Sequence, residues 1–308
     1  MNTKKMSMTL VVLAAFFLVA ANAVSGQVIY DSTVNPQPGN LPSVGAEAYA
    51  FKELGDNITF AGSVRRAKSV SVTMSSWACQ GGSWVAHNCV TTPGSTFSIP
   101  ITLNIYAAGS PTPGALIATR TQTFNIPYRP SSDNTNCTGG KWYQASSGIC
   151  YNGLANNITF DLTSLNLVLP NSVVYGVTYN TTSYGPSPIG TSAPCFSTAA
   201  GCPYDSLNIA LAPVVTVGTK TFYDTLYWNN AYASNYCDNG LDGTGTFRLD
   251  SPTSACWTGL VPAAQFNAYT IATNKDTCKD GGWQSLSRSN GTAFKNQGDC
   301  VQYVNTGK

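Results

Sequence analysis

Apolar residues recur along much of this chain at every second position, and helical spacing is nearly absent beyond the first two dozen residues. Val70, Val72 and Met74 alternate with Ser69, Ser71 and Thr73. Ile99, Ile101, Leu103 and Ile105 alternate with Pro100, Thr102 and Asn104, and Val173, Tyr175, Val177 and Tyr179 form a third stripe. A period of two puts one face of an extended segment on a core and the other outward, so these stretches predict strands. Shorter candidates are 57–61, 115–126, 157–162, 164–169, 206–212, 214–218, 225–228, 246–249 and 263–271. The breaks carry turn chemistry at Pro113-Gly114, Gly139-Gly140, Pro186 with Pro188, and Asp242-Gly243. A dozen short strands punctuated this way predict an all-β fold, a two-sheet β-sandwich. The long connections 127–156 and 180–205 suit a jelly-roll-like or Greek-key path better than simple hairpins.

The chain ends differ from this pattern. Lys4 and Lys5 precede a continuous apolar run from Met8 to Ala20, and Ala21-Asn22-Ala23 supplies small residues at the spacing a signal peptidase reads. Residues 1–23 are therefore expected to be a secretory signal, 24–273 the β-sandwich, and 274–308 a short cysteine-bracketed tail. The apolar run is shorter than the ~20 residues of a spanning helix, so no membrane insertion is expected after cleavage.

Composition narrows the classes. Charged residues make up 10% of the sequence, against about 25% in an average soluble domain. Sixteen basic and fourteen acidic residues leave a net charge of +2, and removing Lys4 and Lys5 balances the two sets. A clustered basic surface for nucleic acid is excluded.

Ten cysteines follow the signal: Cys79, Cys89, Cys137, Cys150, Cys195, Cys202, Cys237, Cys256, Cys278 and Cys300. An even count in an exported chain reads as disulfides. Sequence does not fix connectivity, but neighbours fall into local pairs, and 79–89, 137–150, 195–202, 237–256 and 278–300 are expected. Zinc is disfavoured, because CxxC spacing is absent and only one histidine occurs.

Several segments carry a family resemblance. "YDSTVNPQPGNLPSVGAEAYAFKELGDNITFAG", "VSVTMSSWAC", "ITLNIY", "FNIPYRPS", "YGVTYNTTSYGPSPIG", "GCPYDSLNIAL" and "TFRLDSPTSACWTGLVPAAQF" resemble a family of uncharacterised exported bacterial proteins. The stretch "ITLNIYAAGSPTPGALIATRTQTF" is more loosely similar to jelly-roll surface domains of the choice-of-anchor type. The tail "CKDGGWQSLSRSNGTAFKNQGDC" resembles a short module that ends many secreted actinobacterial proteins. The resemblance implies a β-sandwich, an exported location and a bacterial origin, and it implies no activity.

Candidate chemistry is sparse. The lone His87 lies in the loop that the expected 79–89 pairing closes, and the chain has no GxSxG elbow to supply a nucleophile beside it. The two glutamates, Glu47 and Glu53, lie six apart in a segment expected to be extended, which separates them by about 20 Å, too far for a glycosidase pair. Asp56, Asp161, Asp205 and Asp250 remain as carboxylates that no motif pairs. Asp238 and Asp242 bracket a Gly-bent loop of the kind that suits a structural calcium, although Gly240 and Leu249 break the EF-hand pattern. Trp84, Trp142, Trp257 and Trp283 lie near cysteine loops, where exposed indoles stack on sugar faces. Five Asn-x-Ser/Thr sequons, at Asn57, Asn136, Asn157, Asn180 and Asn290, count only in a eukaryotic secretory pathway.

The expectation is a secreted, non-catalytic extracellular or cell-surface module that binds glycans or other surface components, with polysaccharide or cell-surface components as partner and no catalytic residue or obligatory cofactor. The alternatives are a structural envelope or matrix protein and, from a different class, a secreted hydrolase with an Asp-based site.

Overall fold

The computed structural model describes residues 26–179, 207–222, 224–250 and 256–308. In chain order the strands begin with β1 Gln27–Asp31, β2 Ser43–Gly45, β3 Phe51–Thr59, β4 Ala67–Ser76, β5 Thr96–Ala107 and β6 Leu116–Pro127. They continue with β7 Trp142–Gln144, β8 Ile149–Tyr151, β9 Leu154–Asp161, β10 Ser172–Thr178, β11 Leu207–Ala212 and β12 Thr219–Lys220. β13 Tyr227–Asn230, β14 Arg248–Leu249, β15 Val261–Pro262, β16 Ala264–Ala268, β17 Thr270–Ile271 and β18 Leu286–Ser287 complete them. Among the described residues two α-helices join them, α1 Ala46–Tyr49 and α2 Gln297–Thr306.

Two seven-stranded antiparallel sheets face one another as a β-sandwich. In the first, β4 pairs with β9 along one side, and with β16 and then β11 along the other. β1 extends the sheet beyond β16, while β2 and β15 pair with β11. The second sheet runs β14-β13-β3-β10-β5-β6, with β12 also on β3. Successive strands often change sheet, as the long connections led one to expect.

The three apolar stripes supply the core. Val70, Val72, Met74, Ile99, Ile101, Leu103, Ile105, Val173, Tyr175 and Val177 are all buried. Phe266 of β16 is the ring on which the sheets converge, 5.4 Å from Tyr175 of β10, 5.3 Å from Phe60 and 6.1 Å from Tyr30. The polar residues between the stripes satisfy one another across strands rather than standing free. Ser71 meets Thr159 at 2.8 Å, Thr73 donates to Asn157 at 2.7 Å, Thr102 meets Thr121 at 2.7 Å, and Thr119 donates to Asn104 at 2.8 Å. Cross-strand contacts of this kind are the unit of sheet stabilisation.

Four expected disulfides are present, at 79–89, 137–150, 237–256 and 278–300. The fifth expected pair, Cys195 with Cys202, lies outside the described residues, as do Asp205 and Asn180. Among the described residues no helix is long and apolar enough to cross a membrane.

Some local expectations are corrected. The stretch 164–169 is a 3-10 turn over Thr163–Leu165 followed by left-handed Asn166, and only Val168 bridges, to Arg66. Leu169 reaches the core and Leu167 packs against it, whereas Leu165, on the turn, and Val168 are exposed. The stretch 214–218 makes a single bridge, from Val217 to Asp31. Glu47 and Glu53 are not on one extended segment: Glu47 sits in α1, and Ala50 turns the chain with φ of 56° before β3 begins. Helix α2 is a structure that the apolar pattern did not announce. It is set by its caps, with Asn296 accepting from the Asp299 N–H and Gly307 closing it at φ of 73°, and it buries only Cys300.

The tail residues gather a small core of their own from Ala272, Cys278, Leu286, Phe294 and Cys300. It joins the sandwich through the parallel β17–β18 pair and through Arg66, which donates to the Leu286 carbonyl at 3.1 Å and stacks 4.1 Å over Tyr269.

Phe266→Ala should cost about 3–5 kcal/mol of stability in urea unfolding, because a ring at the sheet interface is lost. Thr159→Ala on the outer face should stay within roughly 0.5 kcal/mol.

Candidate functional site

The β5–β6 hairpin delivers Pro127 and Tyr128 to one end of the sandwich, where two disulfide loops meet. Tyr128 packs on Phe97, with centroids 5.1 Å apart. The next residue, Arg129, is buried and turns inward. Its backbone N–H donates to the Ala78 carbonyl at 2.9 Å, and its guanidinium donates to the carbonyls of Gly140 at 2.5 Å and Pro130 at 3.3 Å. Burial pulls this group down to about 10, so it remains a cation at neutral pH. Ser132 completes the junction, its N–H on the Cys89 carbonyl and its hydroxyl on Gly140. The two cysteine loops are therefore joined by hydrogen bonds through 129–132.

Over this junction lies a cleft of about 470 Å³, bordered by Tyr128, Trp142 and Tyr143, by Pro93, Pro127 and Pro130, and by the small polar residues Thr91, Ser95 and Ser131. Tyr128 and Tyr143 are half-buried. Trp142 is a wall rather than an open plane: it is 6% exposed, stacks 5.3 Å from Tyr151, and donates from Nε1 to the Gly153 carbonyl at 2.7 Å. Gly39 makes this packing fit, since a Cβ there would stand 2.6 Å from the Tyr151 ring and 2.8 Å from Trp142.

Asp133 is the cleft's carboxylate. It accepts from the Asn136 side chain and from the backbone N–H groups of Thr135 and Asn136. Donation from the Asn136 side chain, with the Asn136 N–H adding to it, holds its carboxyl below the usual range. The cleft thus combines flat apolar surfaces with neutral hydrogen-bonding groups and one ionised carboxylate. That composition suits a polyhydroxylated ligand.

The other sequence-nominated residues lie in different surroundings. Trp84 packs edge-on against Trp77 at 4.9 Å. Trp257 packs edge-on against Trp228 at 5.3 Å and donates to Asp250 at 2.5 Å. Trp283 packs against the small tail core. His87 is exposed with φ of 58°. Asp238 receives Arg248 Nη2 at 2.9 and 3.1 Å and the backbone N–H groups of Gly240 and Asp242, so its loop is held by a guanidinium. Asp242 is exposed, and among the described residues no three His, Cys, Asp or Glu side chains gather to hold a metal.

The remaining carboxylates have structural partners. Asp161 caps the turn at Thr163, Asp250 takes the Cys237 N–H as well as Trp257, and Asp56 is paired with Lys220 in the core. Glu53 lies over Gly176 on the outer face of the second sheet, where it accepts from Asn104 at 2.9 Å and Tyr106 at 3.0 Å. No family model, curated protein or solved structure matches the chain.

Tyr128 and Tyr143 were not legible as site residues in the sequence, because segments distant in the chain bring them to one cleft. What signal there was lay in the prolines that flank Tyr128 and in the cysteine loop that brackets Tyr143.

Burial raises Glu53 above its ordinary range, against the pull of its two donors. A carboxyl raised by folding contributes stability in acid, and that contribution is lost as pH climbs through the raised value. Melting temperatures followed from about pH 4 to about pH 8 should therefore show a decline in the wild type that is smaller in Glu53→Gln.

Proposed function

We propose that this chain is a secreted, non-catalytic module that binds a polysaccharide of the extracellular or cell-surface environment in the Tyr128–Tyr143 cleft. The observation that carries this reading is the pairing of two half-buried phenol rings with neutral hydroxyl groups in one preformed cleft. Sugar rings present apolar C–H faces and a rim of hydroxyls, and a cleft built this way answers both without a change of charge. Four disulfides support an oxidising, extracellular setting. The apolar leader and the resemblance to exported bacterial proteins support export. Binding rather than hydrolysis is favoured because the cleft brings one carboxylate, Asp133, to the ligand, whereas glycoside hydrolysis uses two.

A glycan-array screen followed by titration calorimetry tests this. A defined polysaccharide should bind, and Tyr143→Ala should weaken it about tenfold or more while leaving the melting temperature close to wild type. A blank array, or binding untouched by both Tyr143→Ala and Tyr128→Ala, overturns the cleft assignment and favours a matrix role.

A further inference from the structure

We infer that Lys220 and Asp56 condense into an intramolecular amide that ties β12 to β3 inside the sandwich. β12 pairs with β3 so that Lys220 stands opposite Ile58, two residues from Asp56. Ile58 lies in the core, and the alternation of the strand turns Asp56 to the same side. Lys220 Nζ meets Asp56 Oδ2 at 3.0 Å, with both side chains at most 1% exposed. The contact lacks the angles of a hydrogen bond, and Oδ2 has no other hydrogen-bond partner among the described residues.

The surroundings suit condensation. Desolvation weighs against keeping two buried charges. Burial pushes the Asp56 carboxyl up to about 6, in spite of the nearby lysine, which favours the neutral acid. Tyr30 and Tyr175, both buried, lie close enough for Asp56 to raise their hydroxyls further. The Asn57 N–H donates to Oδ1 at 2.8 Å, and the Leu260 carbonyl accepts from Nζ at 3.3 Å. One fixes the electrophile and the other the nucleophile.

Transfer of one proton from Nζ to Oδ2 converts the ion pair into an amine and a carboxylic acid. The Nζ lone pair then attacks Cγ. A C–N bond forms, and negative charge collects on Oδ1, where the Asn57 N–H stabilises it. A second proton passes from Nζ to Oδ2, the Cγ–Oδ2 bond breaks, and water leaves. The sum is ammonium plus carboxylate giving amide plus water, with no oxidant or cofactor. Holding the two groups in contact replaces an encounter in solution, and a site closed to bulk water disfavours the reverse reaction. A cavity of about 60 Å³ bordered by Lys220, Leu260 and Val261 is large enough to receive the released water.

The test is mass spectrometry of the full folded chain after reduction and denaturation. The wild type should be lighter than its sequence by one water. Trypsin should fail to cut after Lys220, and peptide 53–65 should remain covalently joined to the segment that carries that lysine. Asp56→Asn should give the same final mass as the wild type, because the amide form releases ammonia and leaves the identical bond. Lys220→Arg should show its full sequence mass, with peptide 53–65 free. If Lys220→Arg does not fold, the wild-type and Asp56→Asn chains decide the matter. A folded wild type of full mass whose chain is cut after Lys220 overturns the inference and leaves a plain buried ion pair.

Discussion

The sandwich depends on the meeting of aromatic rings at Phe266. This side chain belongs to β16, yet it packs on Tyr175 from the opposite sheet and on Phe60 and Tyr30 at the core's flank. Sheets that carry so few charges have little electrostatic means of holding register, so shape must do it. A slip of one residue in β16 would turn Phe266 to solvent and bring Gln265 or Asn267 inward. The same slip would separate Gln265 from Asp31, its partner at 2.7 Å. Packing inside and amide contacts outside therefore select the same alignment.

Once the sheets are fixed, the long connections at their ends need their own means of order. The disulfides 79–89 and 137–150 close two such connections, and 129–132 joins them through Arg129 and Ser132. This explains how a buried arginine is held, among the described residues, by carbonyl partners alone. Gly140 offers one oxygen to both Arg129 and Ser132, and the loop is drawn tight around that acceptor. The aromatic cleft above is a by-product of that tightening: Tyr128 and Tyr143 border one cleft because the segments that carry them are tied below.

The legibility of the chain followed its physics. The β4, β5 and β10 stripes were readable because period two on a one-sided sheet is a strong pattern, and the pairs 79–89, 137–150, 237–256 and 278–300 because their loops were short. β1 was missed: its register shifts between Val28 and Tyr30, so the alternation breaks in the middle of a five-residue strand. Helix α2 was missed because caps, rather than an apolar face, define it. Of the candidate site, Trp142 was foreseen, but not that it would be a wall. Tyr128 and Tyr143 come together only through contacts distant in sequence, such as Arg129 with Ala78. The Lys220–Asp56 pair was out of reach for the same reason, being assembled across 164 residues by a two-residue strand.

The cross-strand pairs of hydroxyls and amides have a consequence for the conditions the molecule tolerates. Ser71 with Thr159, Thr73 with Asn157 and Thr102 with Thr121 hold their geometry without ionised groups. Added electrolyte has little there to screen, and a change in acidity has no proton to add or remove. Solubility then rests on hydration of neutral dipoles rather than on mutual repulsion between like-charged molecules. Such a coat keeps its character across brine, fresh water and mild acid alike.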